Sequence, residues 1–250
     1  MPPLSIMIKP VSGACNMRCR YCFYADIMSR RETAVYPRMS VETLEVLVRR
    51  AMRFADGPVN FAFQGGEPTL IGLPFFEALV RFEKEFNARG VPVSNAVQTN
   101  GYDLSDDMIA FFAREGFLIG VSMDGDCEAH DRMRPDRAGA ATFERVSETT
   151  RRLSRAGAQY NILCVVNECV ARRPREVFQA LAPHKYLQFI ACLDDFDGTK
   201  RDYSLSEASY LSFLKATFDL YCEAFMRAEP VSVRNFDNYI GILLGVPPEN

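Results

Sequence analysis

The chain has 250 residues, of which 48% are hydrophobic and 24% charged, and its formal net charge is −3. This composition is typical of a globular domain with a sizeable core, and the slight negative charge argues against a surface for nucleic acid or anionic membranes. No apolar run reaches membrane-spanning length, and we find no secretory signal, so we expect a cytoplasmic protein with reduced cysteines.

Short apolar runs alternate with helical patterns along the chain. The first strand is predicted at residues 4–9, and the polar residues 25–38 that follow the next motif are expected to form a surface excursion. Further strands are predicted at residues 59–63, 93–97, 117–121, 160–166 and 186–191. Helices are predicted to begin near Ser40, Phe75, Ser105, Phe143, Val177 and Ser206. A short strand and a helix at 238–244 are expected near the end.

Six strands that alternate with helices predict an α/β fold with a parallel sheet. The strands are continuous apolar runs, as expected when helices cover both faces of the sheet. This pattern leaves open whether the sheet is doubly wound or an incomplete barrel. Polar motifs follow the strands at their C-terminal ends, where both architectures place their functional sites.

Three cysteines, Cys15, Cys19 and Cys22, follow the first strand in a C-x3-C-x2-C spacing. Three thiolates in one tight loop suit three irons of a 4Fe–4S cluster and leave the fourth iron open to a small molecule. A zinc site would need a fourth ligand, and the next candidates, Cys127 and His130, lie far along the chain. A disulfide would leave one thiol over. We therefore predict a cluster site.

With the aromatic residues Tyr21, Phe23 and Tyr24, the cysteine loop resembles the signature of the radical S-adenosylmethionine (SAM) enzymes. Residues 65–68, with the sequence GGEP, follow the second strand and resemble the motif of that family that binds the amino group of SAM. Glycines let the backbone approach a ligand, and the carbonyl of Gly66 can accept a hydrogen bond from an ammonium. Taken alone, the tetrapeptide is equally well explained as a turn.

Other polar residues at the strand ends are candidates for the rest of a SAM site. Ser122 and Asp124 follow the fourth strand and suit ribose hydroxyls, although capping a turn is the plainer role. Arg134 is a candidate partner for the SAM carboxylate through its planar guanidinium, and Arg132 and Arg137 compete for that role.

Leu193, beyond the sixth strand, is a candidate for packing on the adenine, or else a core residue. Tyr24, Gln64, Gln98 and Asn100 are expected at the same mouth. Amide side chains there suit the recognition of a peptide backbone, because each offers a donor and an acceptor.

Longer strings resemble one branch of the family, the anaerobic sulfatase-maturating enzymes, which oxidise a Cys or Ser of a sulfatase to Cα-formylglycine through a 5′-deoxyadenosyl radical. These strings are residues 4–10, 15–24, 61–70, 98–101, 122–125, 161–166 and 187–190. The resemblance implies a partial (β/α)6 TIM-like barrel with a 4Fe–4S cluster on the three cysteines. It also implies a SAM site formed by Tyr21, Gly66, Glu67, Ser122, Asp124, Arg134 and Leu193.

The family also has a C-terminal region with further clusters and a proton acceptor, which no residue of this chain matches. We therefore expect the catalytic base beyond Asn250, a radical SAM core at residues 1–230, and the start of a truncated extension at 231–250. The expected partners are a sulfatase polypeptide and an electron donor such as a flavodoxin or ferredoxin, without nucleic acid or membrane. The alternatives are another peptide-modifying maturase, which forms a thioether or a crosslink, and a non-catalytic Fe–S-binding fragment.

Overall fold

The computed structural model describes residues 3–195 and 197–248, which form seven strands and ten α-helices. The chain divides into two compact units. The first unit comprises Met1–Asn16, Tyr24–Gly120 and Arg145–Tyr160. The second comprises Met17–Phe23, Val121–Glu144 and Asn161–Asn250.

The strands follow one another in the sheet in chain order, and their described pairings are parallel, as predicted. The strands are β1 (Leu4–Ile8), β2 (Val59–Phe63), β3 (Val93–Thr99), β4 (Leu118–Ser122), β5 (Gln159–Val166), β6 (Tyr186–Ala191) and β7 (Ser232–Val233). The helices are α1 (Phe23–Ser29), α2 (Val41–Phe54), α3 (Leu73–Phe86), α4 (Asp106–Arg114), α5 (Cys127–Met133), α6 (Phe143–Arg155), α7 (Glu168–Ala171), α8 (Pro174–Leu181), α9 (Glu207–Met226) and α10 (Arg234–Leu243).

The prediction of a surface excursion at residues 25–38 was wrong for its first part, because helix α1 occupies Phe23–Ser29. This helix lacks a clear apolar stripe, and its position depends on a tertiary contact. A side chain at Gly13 would meet Met28 Sδ at 1.8 Å, so Met28 packs directly on the Gly13 backbone. Helices α5 and α7 were also not predicted, since they span only 7 and 4 residues and begin at the caps Asp126 and Asn167.

The first unit has an aromatic core between the sheet and its helices. Phe76 of α3 packs edge-on against Phe63 of β2 and against Phe112 and Phe117. Edge-to-face aromatic pairs of this kind add to the stabilisation that burial alone provides. They hold α3 on one face of the sheet, so the side chains of the opposite face are available for a site.

Residues beyond 230 continue the sheet of the second unit. Strand β7 pairs with β6, and the Asn235 side chain accepts a hydrogen bond from Phe189 N and donates one to Phe189 O, at 2.9 and 3.0 Å. The domain boundary expected at residue 230 stays a prediction, and residues 249 and 250 of the expected extension lie outside the described residues. In the part of the chain that the structure describes, no helix combines the length and apolar character needed to cross a membrane.

Helix α3 contains a buried carboxyl group without a cation directly against it. Glu83 is 7% exposed, and its Oε2 accepts a hydrogen bond from Asn95 Nδ2 at 3.1 Å. Glu83 Oε1 and Asn95 Oδ1 have no partner among the described residues. Burial, together with the charge of Glu115, raises the pKa of Glu83 to about 7, against the opposing effects of Asn95 and Lys84.

We expect Glu83→Gln to stabilise the protein at alkaline pH. The pKa of Glu83 in the folded protein lies above its ordinary value of 4.5, so the stability that protonated Glu83 contributes is complete below pH 4.5 and is lost as the pH rises through 7. The difference in pKa corresponds to about 3 kcal/mol of the free energy of unfolding. Urea denaturation between pH 5 and 8.5 measures it, with Glu77→Gln, an exposed position on the same helix, as the control. Parallel pH profiles for Glu83→Gln and wild type would contradict the assignment.

Candidate functional site

Glu67 of the GGEP motif connects the ends of β2 and β3 in the first unit. Its side chain is 1% exposed. Oε1 accepts hydrogen bonds from Thr69 N, Thr69 Oγ1 and Thr99 Oγ1 at 3.1, 2.7 and 2.8 Å, and Oε2 accepts one from Asn100 N at 2.7 Å. Burial raises the pKa of Glu67 although these donors oppose the shift. Both oxygens thus accept hydrogen bonds within the protein, and the cofactor contact that the sequence predicted for Glu67 stays a prediction.

Gly65 and Gly66 let the GGEP loop approach the cysteine loop. The backbone φ angles of both are positive, 99° and 60°, and residues other than glycine adopt such angles only at a cost in free energy. A Cβ on Gly66 would lie 2.3 Å from the carbonyl oxygen of Ala14, to which Glu67 N donates at 2.8 Å. The close contact with the residue before Cys15 therefore requires glycine at position 66.

Asn100 lies against the first predicted cluster ligand. Its Nδ2 donates to Asn16 Oδ1 at 2.8 Å and to Cys15 Sγ at 3.6 Å, while its Oδ1 accepts from Tyr102 N at 2.9 Å. The side chain is buried. Asn100 was predicted to bind substrate, but its amide is engaged by the cysteine loop in this structure.

The other predicted substrate residues of the first unit lie at the open face and mouth of the sheet. The parallel register pairs Phe63 with Val97, so the next position places Gln64 beside Gln98. Since side chains alternate along strands, the two amides lie on the face opposite α3. Tyr24, on α1, has Lys9 Nζ 4.5 Å from its ring centroid, a cation–π contact that the sequence analysis missed.

The second part of the cysteine loop, residues 17–20, runs antiparallel to residues 133–136 within the second unit. The ties are a bridge between Met17 and Asp136, Arg18 N to Pro135 O at 2.9 Å, and Arg20 N to Met133 O at 2.9 Å. Successive side chains of an extended segment alternate. Arg18 and Arg20 accordingly face solvent, and Cys19 lies on the opposite side.

Three predicted SAM residues form one buried chain of hydrogen bonds. Arg134 Nη1 donates to the Tyr21 hydroxyl at 2.7 Å, and that hydroxyl donates to Asp124 Oδ2. Asp124 Oδ1 accepts from Val165 N at 2.9 Å, so both its oxygens are engaged. Arg134 Nε has no partner among the described residues. Asp124 therefore positions Tyr21 and β5, while Arg134 keeps a free donor.

The electrostatics of this chain keep Arg134 charged. Burial alone would lower the pKa of Arg134, but Cys19, Tyr21 and Asp124 together raise it well above its usual value. Burial raises the pKa of Tyr21, so its hydroxyl stays protonated and serves as a donor. Arg132 and Arg137, the competing candidates, are exposed, and Arg132 forms an ion pair with Asp202.

His130 supports this chain as a neutral side chain. Its Nδ1 accepts from Asp124 N at 3.3 Å, and its Nε2 lies 3.1 Å from Thr142 Oγ1. The Thr142 hydroxyl donates to Arg134 O at 2.6 Å, so it accepts from Nε2–H, which sets the tautomer. Burial and the charge of Arg134 lower the pKa of His130 well below its usual value. Both ring nitrogens are used, so His130 is not a metal ligand.

Ser122 and Leu193 differ in their exposure to solvent. Ser122 ends β4 and is half-buried. Leu193 follows β6 and is 59% exposed, so its side chain is accessible, and its packing on the adenine stays a prediction.

The cysteines do not form a site for a single metal ion. None of the eight is in a disulfide, and Cys15, Cys19 and Cys22 are partly exposed. Among the described residues, no group of three or more His, Cys, Asp or Glu side chains is placed to hold one ion.

A family model of the Radical SAM superfamily matches residues 10–170, which include the cysteine loop, the GGEP motif and Arg134. The chain is also 41% identical over 250 residues to the cysteine-type anaerobic sulfatase-maturating enzyme of Clostridium perfringens (strain 13 / Type A), a match that spans 98% of this chain and 68% of that relative. The chain belongs to the radical SAM anaerobic sulfatase-maturating enzymes.

Two further comparisons agree with this family. The chain is 32% identical over 217 residues to the serine-type enzyme of Klebsiella aerogenes, covering 85% of this chain and 52% of that protein. A solved structure described as native anSMEcpe with bound AdoMet and Kp18Cys peptide matches 99% of this chain and 68% of that one, at 40% identity and a TM-score of 0.92. The predicted partial-barrel α/β fold of the radical SAM core is confirmed.

Radical SAM enzymes use a 4Fe–4S cluster and SAM, as the sequence predicted. The residues present fit both groups. No disulfide involves Cys15, Cys19 or Cys22, and Cys15 Sγ already accepts a hydrogen bond of the kind that supports cluster sulfurs. The charged, buried Arg134 with its unpartnered Nε suits a carboxylate.

Proposed function

We propose that this protein oxidises the side chain of a cysteine in a sulfatase peptide to Cα-formylglycine. The observation that carries the proposal is the 41% identity to a cysteine-type enzyme over 98% of the chain. A cysteine target is favoured over serine because the serine-type relative is 32% identical over 85% of the chain. The peptide in the matched anSMEcpe structure supports a peptide substrate.

The bound cluster and SAM supply the 5′-deoxyadenosyl radical that removes a hydrogen atom from Cβ of the target residue. Three thiolates, those of Cys15, Cys19 and Cys22, hold the irons. The Arg134 guanidinium binds the SAM carboxylate, and the Gly66 carbonyl accepts from the SAM ammonium. Ser122 contacts the ribose, and Leu193 packs on the adenine. Tyr21 and Asp124 hold Arg134 in place, which their hydrogen bonds support.

The neighbouring amides Gln64 and Gln98 bind the backbone of the peptide, since each offers both a donor and an acceptor. Tyr24 lines the same mouth, and its cation–π contact with Lys9 orients the ring. An electron donor such as a flavodoxin or ferredoxin delivers electrons to the cluster.

Asn100 is expected to tune the cluster through its N–H···S contact with Cys15. Asn100→Asp keeps the acceptor for Tyr102 N but replaces the donor with an oxygen, which should stabilise the oxidised cluster. If the reduced cluster loses about 1 kcal/mol of stabilisation relative to the oxidised one, its one-electron midpoint potential falls by roughly 40 mV. An EPR-monitored redox titration measures it, with Asn87→Asp as a control distant in sequence. An unchanged potential at full iron content would contradict this role.

The function is tested with the reconstituted protein, SAM, a chemical reductant and two synthetic peptides that differ only in a Cys or Ser at the target position. We expect 5′-deoxyadenosine and formylglycine from the cysteine peptide, detected by mass spectrometry. A thioether or crosslink in the peptide would support the alternative maturase. Failure to cleave SAM with a full cluster would support the non-catalytic alternative.

A further inference from the structure

The main chain of Arg134 is held as firmly as its side chain. The carbonyl oxygens of its two neighbours, Met133 and Pro135, accept hydrogen bonds from backbone N–H groups of the cysteine loop, each at 2.9 Å. The carbonyl between them, Arg134 O, accepts instead from the Thr142 hydroxyl at 2.6 Å. The segment that carries the guanidinium is therefore fixed by the cysteine loop and, independently, by Thr142.

His130 and Thr142 close a ring of hydrogen bonds that begins and ends at Arg134. In one half of the ring, the Arg134 side chain reaches Asp124 through the Tyr21 hydroxyl. In the other half, Asp124 N donates to His130 Nδ1 at 3.3 Å, and His130 Nε2 lies 3.1 Å from Thr142 Oγ1. The Thr142 hydroxyl then donates to Arg134 O. Because a backbone N–H only donates and a carbonyl only accepts, the direction of every bond in this half is determined.

The Thr142 hydroxyl is not used for the ordinary role of a threonine that precedes a helix. Such a side chain commonly caps the first turn by accepting from its N–H groups. At the start of α6, however, Thr142 N and Phe143 N both donate to Asp131 Oδ1 at 2.8 Å. The hydroxyl is engaged by His130 and by the carbonyl of Arg134, so its contribution goes to the position of Arg134.

Burial makes this support consequential. The side chains of the ring are shielded from water, and those of Asp124, His130, Thr142 and Arg134 are almost completely buried. A buried carbonyl that loses its donor cannot replace it with solvent, so the backbone around it must move or remain unsatisfied. Arg134 Nε, in contrast, has no partner among the described residues and is left for a ligand.

We propose that Thr142 and His130 are positioning residues for SAM binding, which fix the main chain of Arg134 so that its guanidinium meets the SAM carboxylate. The proposal rests on the proposed function, in which Arg134 binds that carboxylate. Neither Thr142 nor His130 contacts SAM in this role. A planar guanidinium pairs with a carboxylate in a restricted geometry, so a displaced Arg134 backbone weakens the pair although the charge remains.

The test replaces Thr142 with valine, which is similar in shape but lacks the hydroxyl, in the anaerobically reconstituted protein. Thr142→Ser restores the hydroxyl. The matched control is Thr217→Val, because Thr217 is equally buried and its hydroxyl donates to Phe213 O at 2.7 Å within α9. Calorimetry measures the Kd of SAM, urea denaturation measures the free energy of unfolding, and iron analysis measures the cluster content.

We expect Thr142→Val to raise the Kd of SAM roughly five- to tenfold at unchanged iron content, the size of effect that one lost hydrogen bond to a buried carbonyl produces. Thr142→Ser should restore most of the affinity. Thr217→Val should lose comparable stability and keep the wild-type Kd. An unchanged Kd in Thr142→Val, or an equal rise in Thr217→Val, would overturn the proposal. So would a loss of iron from Thr142→Val, which would assign Thr142 to the support of the cysteine loop.

Two variants of His130 give a second measurement, which decides the matter if Thr142→Val does not fold. A glutamine amide reaches the position of Nε2 and can donate to Thr142, whereas the shorter asparagine amide reaches the position of Nδ1 and can accept from Asp124 N. SAM affinity should therefore be higher in His130→Gln than in His130→Asn. Equal affinities, or the reverse order, would contradict the transmission through Thr142.

Failure of this inference is distinguishable from failure of the proposed function. If Arg134→Ala weakens SAM binding but Thr142→Val does not, only the positioning role is wrong. If Arg134→Ala leaves the Kd of SAM unchanged, the proposed carboxylate contact is wrong and this inference with it. SAM binding is measured without peptide, so the absence of formylglycine in the peptide assay would contradict the proposed reaction and leave the positioning role intact.

Discussion

Cys19→Ala is expected to abolish the 4Fe–4S cluster and, with it, SAM cleavage. Two thiolates cannot replace three in holding the cubane, and both nitrogens of His130 are already engaged in hydrogen bonds. Anaerobic reconstitution followed by iron analysis and absorbance near ~400 nm measures the loss. Cys15→Ala and Cys22→Ala should behave in the same way.

The matched controls are Cys127→Ala and Cys222→Ala, since both thiols are exposed. A hydrogen bond to Asp131 raises the pKa of Cys127 to about 11, which keeps its thiol protonated and makes it a poor metal ligand. Both controls should retain the full iron content. Full iron content in Cys19→Ala would refute the assignment of the cluster ligands.

Arg134→Ala is expected to weaken SAM binding and to destabilise the fold. Loss of a charge-assisted pair with the SAM carboxylate costs about 1.5–3 kcal/mol, or roughly ten- to a hundredfold in Kd. The same change leaves the buried Asp124 without its cation, which should cost about 3–5 kcal/mol in the free energy of unfolding. Calorimetry with SAM and urea denaturation measure the two effects separately.

The Arg134→Lys variant separates the role of Arg134 in SAM binding from its role in stabilising the fold. A lysine can supply a positive charge near Tyr21 and Asp124 but lacks the planar guanidinium, so stability should recover more than SAM affinity does. Arg132→Ala, an exposed neighbour, is the control and should change neither quantity. If SAM affinity is unchanged in Arg134→Ala while stability falls, Arg134 has a structural role only.

Much of the sheet could be predicted from local sequence. Strands β2 and β6 lie where the largely apolar runs at 59–63 and 186–191 placed them, and their buried residues, such as Phe61, Phe63, Leu187 and Phe189, alternate with less buried ones. Helices α2, α4 and α9 begin directly after Ser40, Ser105 and Ser206, near which helix starts were predicted, and the hydroxyls of these serines accept hydrogen bonds from the first turn. Helix α1 was missed since its packing on Gly13 has no local signature.

The candidate site was likewise predicted partly from local sequence, while the rest required the structure. The spacing of the three cysteines and the GGEP motif identified the cofactor chemistry, because ligand type and loop geometry are written in contiguous residues. The roles of Glu67 and Asp124 required the structure, since Glu67 bonds Asn100 and Asp124 bonds Tyr21 and Val165. The sequence alone does not show whether the oxygens of a carboxylate are free or already accept hydrogen bonds within the protein.

The sequence by itself determined the family, the cofactors and the residues that line the strand ends. Only the tertiary structure decided which of those residues have polar atoms without a partner in the protein, and which already form hydrogen bonds with other residues. It also separates Arg134, which is buried beside Tyr21 and Asp124, from the exposed Arg132 and Arg137, whereas the contact of Arg134 with SAM stays a prediction. Tyr21 and Arg134 are 113 residues apart in the chain. Their hydrogen bond, and the burial that accompanies it, therefore exist only after folding.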